Sequence, residues 1–82
     1  MAKQFQLNQE ELNTLKVVRD LNDKGSKADY YEVVEGVNGD TGTMVPVVAR
    51  LDDDGYIKSS GIIHRYCQIT DKGRKALSDK GL

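Results

Sequence analysis

Three stretches of the chain repeat apolar residues at intervals of three and four, the spacing of one face of an α-helix. Between these stretches lie polar residues and glycines, which favour turns. The pattern therefore predicts three helices, each with one buried face. The predicted buried positions are Leu12, Leu15, Val17, Val18 and Leu21 in the first helix, Tyr30, Val33, Val34 and Val37 in the second, and Met44, Val47, Val48 and Leu51 in the third.

The first helix has clear signals at both ends. Asn8 can cap the free amides of the first turn, and Glu11 can reach back to the amide of Asn8, which makes a capping box. Gly25 can adopt the left-handed conformation that ends many helices. These signals predict a helix over residues 8–23.

The second and third helices are bounded by caps and turn formers. Ser26, with Asp29 three residues later, predicts the start of the second helix, and the polar and glycine residues 38–42 predict its end. The third helix is expected to start between Thr41 and Thr43, which places Pro46 in its first turn, and to end near residue 54.

After Gly55 the apolar period changes from 3.6 to 2. Residues 56–58 and 62–69 are β-prone and are separated by Ser59, Ser60 and Gly61, which predicts a hairpin with a short loop. Thr70 is a cap for a last helix over residues 71–80, in which Gly73 would permit close approach to a neighbour. With 82 residues the chain has room for one domain, so we expect a single α+β domain over 1–82.

This order of elements resembles a winged helix-turn-helix domain, in which a helix pair is followed by a β-hairpin wing. Residues 50–57, Arg-Leu-Asp-Asp-Asp-Gly-Tyr-Ile, are similar to the passage from recognition helix to wing in that family. Residues 69–77, Ile-Thr-Asp-Lys-Gly-Arg-Lys-Ala-Leu, are similar to the stretch after the wing in MarR-like and PadR-like regulators. The resemblance covers residues 8–80 and implies a small DNA-binding transcriptional regulator.

In such a fold the third helix enters the major groove of double-stranded DNA and the wing contacts the backbone or minor groove. If the apolar stripe of the third helix is buried, the outward positions include Thr43, Val45 and Arg50. Thr43 and Arg50 can hydrogen-bond to phosphates or base edges, and Val45 can contact a thymine methyl group. The three aspartates at 52–54 would repel phosphate, so we interpret them as a solvated helix end.

Charge is distributed unevenly along the chain. The net charge is -1, but residues 1–57 carry six basic and eleven acidic residues, 6 - 11 = -5, and residues 58–82 carry six and two, 6 - 2 = +4. Phosphate contacts supply most sequence-independent affinity for DNA, so a basic wing and last helix favour DNA binding. The candidate contacts there are Lys58, His64, Arg65, Lys72, Arg74 and Lys75.

A protein-binding winged-helix module is the alternative, because Val45, Pro46 and Ala49 form an apolar outward set. Tyr30, Tyr31 and Tyr66 would suit either interface. A homodimer is also expected, since operators are often palindromic, with Phe5 and Leu7 as candidate interface residues.

The sequence offers no reason to expect an enzyme, a cofactor, a metal or a small-molecule ligand. His64 and Cys67 lie three apart on a predicted strand, so their side chains point to opposite faces and cannot act as a nucleophile pair. A single Cys and a single His are too few for a zinc site. No apolar run is long enough to span a membrane, and the free thiol is typical of a cytoplasmic protein.

Overall fold

Four helices and one antiparallel hairpin make up residues 7–61 and 65–82, the parts of the chain that the computed structural model describes. This is the predicted α+β layout of a winged helix-turn-helix domain, and the prediction is confirmed. His64, Phe5 and the predicted strand residues Ile62 and Ile63 lie outside the described residues. The elements are α1 (Gln9–Asp23), α2 (Tyr30–Gly36), α3 (Thr41–Asp53), β1 (Ile57–Ser60), β2 (Tyr66–Ile69) and α4 (Asp71–Asp79).

The start of α1 has the predicted capping box. The side-chain oxygen of Asn8 accepts a hydrogen bond from the Glu11 amide at 2.7 Å, and the Asn8 amide donates to Glu11 Oε1 at 2.9 Å. Two orphan amides of the first turn are thereby satisfied. The start of this helix therefore follows from local sequence alone.

The predicted cap of α2 is wrong, because Asp29 caps this helix and Ser26 does not. Ser26 instead accepts a hydrogen bond from the Ala28 amide at 2.9 Å, and Ala28 has a φ of 60°. The segment before α2 pairs with the hairpin: the Cys67 amide donates to the Ala28 carbonyl at 2.9 Å, and the Tyr30 amide donates to the Arg65 carbonyl at 2.7 Å. This pairing requires a non-helical backbone, so a tertiary contact overrides the local capping signal at Ser26.

The hairpin is shifted relative to the sequence prediction. Ser59 and Ser60, expected in the loop, belong to β1 and pair with Cys67 and Tyr66 of β2. Ser59 is held in the strand because its hydroxyl donates to Asp52 of α3 at 2.8 Å, a contact that period and propensity do not reveal. Strand β1 therefore extends through Ser60, two residues beyond its predicted end at Lys58.

The core lies between the four helices and the hairpin. The predicted stripe of α3 is buried throughout, and Cys67 is fully buried as a small apolar side chain. Gly73 confirms the expected close approach, since a Cβ there would lie 2.2 Å from the Tyr56 carbonyl oxygen. The buried apolar residues are Leu12, Leu15, Val18, Ala28, Val33, Val34, Met44, Val47, Val48, Leu51, Tyr56, Ile57, Cys67 and Leu77.

Candidate nucleic-acid interface

The outer face of α3 is exposed and mostly apolar. Val45, Pro46 and Ala49 lie opposite the buried stripe, and 56% of Val45 is accessible to solvent. Asp53 continues this face toward the end of the helix. A helix face that is uncovered and carries small side chains can approach another surface closely.

A groove runs between this face, the start of α2 and the hairpin. It has a volume of about 420 Å³, and its walls include Tyr31, Val45, Ala49 and Arg65. Tyr31 is 66% exposed, and its ring meets that of Tyr30 edge to face with centroids 5.7 Å apart. Asp52 and Asp53 also line it, so the groove combines apolar and aromatic surface with one cationic side chain and two carboxylates.

Tyr30 fixes one wall of the groove. Its hydroxyl donates a hydrogen bond to the carbonyl oxygen of Thr41 in the first turn of α3. Burial raises the pKa of the Tyr30 hydroxyl, and the neighbouring Tyr31 and Asp40 add to that effect. The hydroxyl therefore remains a donor at neutral pH and joins α2 to α3.

Arg65 lies on the opposite wall, at the end of a short chain of polar contacts. Its guanidinium Nη1 donates to Ser59 Oγ at 3.2 Å, and Ser59 in turn donates to Asp52 Oδ2 at 2.8 Å. Asp52 is therefore not simply a solvated helix end, because its carboxylate fastens the hairpin to α3. A serine in an expected loop gives no sequence signal of such a contact, so the roles of Ser59 and Asp52 are visible only in the structure.

Thr43 and Arg50 lie on a different flank of α3 from the groove, toward α1. Thr43 Oγ1 donates to the Asp40 carbonyl at 3.0 Å. Arg50 Nη1 lies 3.2 Å from Oε2 of Glu11, whose side chain is only 6% exposed, whereas that of Arg50 is 60% exposed. In this structure Arg50 balances a buried carboxylate, and Glu11 uses one oxygen for its helix cap and the other for α3.

Lys58 lies on the outer face of the hairpin. Side chains alternate along a strand, and Ile57 and Ser59 face the body of the domain, so Lys58 and its partner Gln68 face away from it. The Lys58 side chain makes no hydrogen bond or ion pair with any residue within 7–61 and 65–82. It is thus a free cation of the wing as far as the structure describes it.

The three candidate cations of α4 are engaged elsewhere. Lys72 Nζ donates to the Asp54 carbonyl at 2.6 Å and lies 4.7 Å from the centre of the Tyr56 ring, so it caps the end of α3. Arg74 pairs with Asp23 of α1 at 2.9 Å, and Lys75 pairs with Asp79 at 3.6 Å. Among the described candidates, the structure therefore brings only Val45 and Arg65 into one groove.

Other kinds of site find little support in the described part of the chain. Residues 7–61 and 65–82 contain no group of three or more His, Cys, Asp or Glu side chains placed to hold a metal ion. Within the same residues, no helix has the length and apolar character needed to cross a membrane.

Comparisons with known proteins identify the fold. The sequence matches no protein-family model, and the search of curated proteins found no significant match. AF1382 from Archaeoglobus fulgidus has a similar structure, with a TM-score of 0.79 and 18% identity over 92% of this chain and 86% of that one. The PcaV transcriptional regulator from Streptomyces coelicolor, solved with its natural ligand, gives a TM-score of 0.77 and 22% identity over 92% of this chain. The match covers 53% of the PcaV chain, so this chain spans about half the length of that regulator.

Proposed function

We propose that this chain binds double-stranded DNA through α3 and the hairpin wing, and that it acts as a transcriptional regulator. The observation that carries the proposal is the open groove in which the uncovered face of α3 lies beside Arg65 of the wing. The structural likeness to the PcaV regulator supports the same role. The proposal involves no catalytic step and no cofactor.

In this proposal α3 lies in the major groove with Val45 and Ala49 toward the base edges. Arg65 contacts a phosphate from the wing, and its bond to Ser59 holds it next to α3. Lys58 contributes from the outer face of the wing. Thr43 and Arg50 act at the edge of the interface, and Arg50 mainly keeps α3 in place against α1 through Glu11.

A duplex titration at two salt concentrations tests this function. Affinity should fall steeply between about 50 mM and about 200 mM salt, because each phosphate contact releases condensed counterions. Arg65→Ala should weaken binding and reduce the slope of log affinity against log salt by about 1. Lys16→Ala removes the same charge from an exposed position on α1 and is the matched control, for which the slope should not change. Duplex affinity that is absent or independent of salt would contradict the proposal.

A protein-binding module is the second candidate. The exposure of Tyr31 and Val45 favours it, because exposed apolar and aromatic side chains in one groove suit a protein surface. Sedimentation measurements at the same two salt concentrations separate the two functions. Association of the chain with itself or with a partner protein would favour this candidate if it persists at high salt and is abolished in Val45→Asp.

A homodimer is proposed as the DNA-binding form, since two copies of α3 could then read two half-sites. Two apolar residues near the ends of the described chain could contribute to the dimer interface: Leu7 is half-buried and Leu82 is exposed. The same sedimentation measurements report the oligomeric state directly.

A further inference from the structure

The middle of the outward face of α3 lacks the hydrogen-bonding groups with which most recognition helices read bases. Val45, Pro46 and Ala49 carry no side-chain donor or acceptor. The two polar side chains on the flank, Thr43 and Arg50, bond to the Asp40 carbonyl and to Glu11. Direct readout from the middle of this helix must therefore use apolar contact.

Only one feature of the unmodified major groove matches an apolar side chain. Each base pair presents donors and acceptors there, and thymine adds its C5 methyl group. Val45 and Ala49 are four residues apart, so they lie about 6 Å apart along the helix axis, within one to two base-pair steps. Small side chains at both positions would let the helix backbone approach those methyl groups.

One cation and two carboxylates line the groove. Arg65 lies on the wing side, where a phosphate would pass beside the groove. Of the two carboxylates, that of Asp52 accepts a hydrogen bond from Ser59, so it is turned toward the hairpin. Asp53 lies at the far end of the face, and a carboxylate there can accept a hydrogen bond from the amino group of cytosine.

Building on the proposed DNA-binding function, we propose that Val45 and Ala49 read thymine methyl groups in the major groove. The chain then prefers duplexes that present thymines at neighbouring steps. Specificity arises from the methyl groups, and affinity arises from phosphate contacts at the wing.

Replacing thymine by deoxyuridine tests the inference, because it removes the C5 methyl group and keeps charge and base pairing. The probes are a duplex of about 20 alternating A·T base pairs and the same duplex with deoxyuridine, at one low salt concentration. Removing each methyl group that α3 covers should lower affinity about fourfold, the effect expected for exposing one buried methyl group. Val45→Ala should weaken binding to the thymine duplex and leave binding to the uracil duplex nearly unchanged.

Two controls make the result specific to α3. Lys16→Ala truncates an exposed side chain on α1, outside the groove, and should keep the full preference for thymine. Thermal unfolding of Val45→Ala should match that of the parent, since the side chain is mostly exposed.

The outcomes separate this inference from the function on which it rests. Salt-dependent binding that is equal for both duplexes would overturn methyl readout and leave DNA binding intact. A Val45→Ala variant whose affinity falls by the same factor on both duplexes would also overturn it. Failure to bind either duplex, with salt-insensitive protein association that depends on Val45, would overturn both proposals.

Discussion

Arg50 and Glu11 illustrate how one ion pair can serve two elements. Glu11 is almost fully buried, and its two carboxylate oxygens contact the start of α1 and the side of α3. Arg50 reaches it from an exposed position, so its charge is only partly available to other partners. The position of Arg50 on α3 predicts a contact with the major groove of DNA. The sequence does not reveal the buried carboxylate of Glu11, 39 residues earlier, to which Arg50 bonds.

Arg50→Ala should lower the free energy of unfolding by about 1 to 2 kcal/mol, because it leaves a buried carboxylate oxygen without its partner. Lys75→Ala breaks an ion pair in which both side chains are exposed and should cost less than about 0.5 kcal/mol. Urea unfolding of both variants at pH 7 checks the difference. Equal decreases in the free energy of unfolding would show that the Arg50–Glu11 ion pair contributes no more than an exposed ion pair.

Cys67 provides a test in alkaline solution. Burial, with a contribution from Asp52, raises the pKa of the Cys67 thiol from 9.0 to about 11. Between these two values the unfolded chain loses the thiol proton while the folded chain keeps it, so stability falls as pH rises. At pH 10 the decrease should be about 1 kcal/mol relative to pH 8.

Cys67→Ala isolates this effect, since lysines and tyrosines titrate in both proteins. The variant should be less stable at pH 8 because of its cavity, yet its stability should fall less between pH 8 and pH 10. The measurement is urea unfolding at the two pH values under reducing conditions. The same decrease in both proteins would contradict the assignment of the slope to Cys67.

At the scale of elements, the helices were predictable and their junctions were not. The stripe of α3 and the capping box of α1 are local patterns, and both are present as predicted. The start of α2 depends on pairing with the distant hairpin, and the end of β1 depends on a bond to α3. Local sequence signals therefore wrongly predict Ser26 as the helix cap and Ser59 as a loop residue. Val45 and Arg65, two of the candidate contacts, line the same groove, but the sequence does not reveal the bonds that position the wing.

Asn22 is the clearest example of such a hidden junction. Its Nδ2 donates to the carbonyl oxygens of Ser26 and Cys67 at 2.9 and 3.2 Å, and its Oδ1 accepts from the Ile69 amide at 2.7 Å. One half-buried side chain thus joins the end of α1 to β2 of the wing. An asparagine in the last turn of a helix carries no sequence signal for this role.

Asn22→Ala should lower the free energy of unfolding by about 1 to 3 kcal/mol, because backbone groups in a partly buried site lose their partners. Asn13→Ala is the control on the same helix: Asn13 is exposed and its side chain bonds only to Gln9 among the described residues, so the change should be within about 0.5 kcal/mol. Hydrogen exchange should also show faster exchange at the Ile69 amide in Asn22→Ala. Unchanged protection there would contradict the bridging role.

At the scale of the whole molecule, the sequence shows where the basic residues lie along the chain but not which of them bond to other residues of the domain. Of the six basic residues in 58–82, three in α4 bond to Asp54, Asp23 and Asp79. α4 packs mainly against α1 and β2, whereas the groove is lined by α2, α3, β1 and Arg65 and by no residue of α4. In the proposed complex with DNA, the positive charge of the second segment therefore acts mainly through Lys58 and Arg65.

Two double variants with the same change in net charge test this division. Lys58→Ala with Arg65→Ala should weaken duplex binding and reduce the salt slope by about 2, since two phosphates are no longer neutralised and each contributes about 0.9. Arg74→Ala with Lys75→Ala should leave both quantities nearly unchanged, because those cations bond to carboxylates away from the groove. If both double variants bind equally weakly, net charge governs binding and the wing has no special role. If the wing variant binds as the parent does, the wing contacts no phosphate.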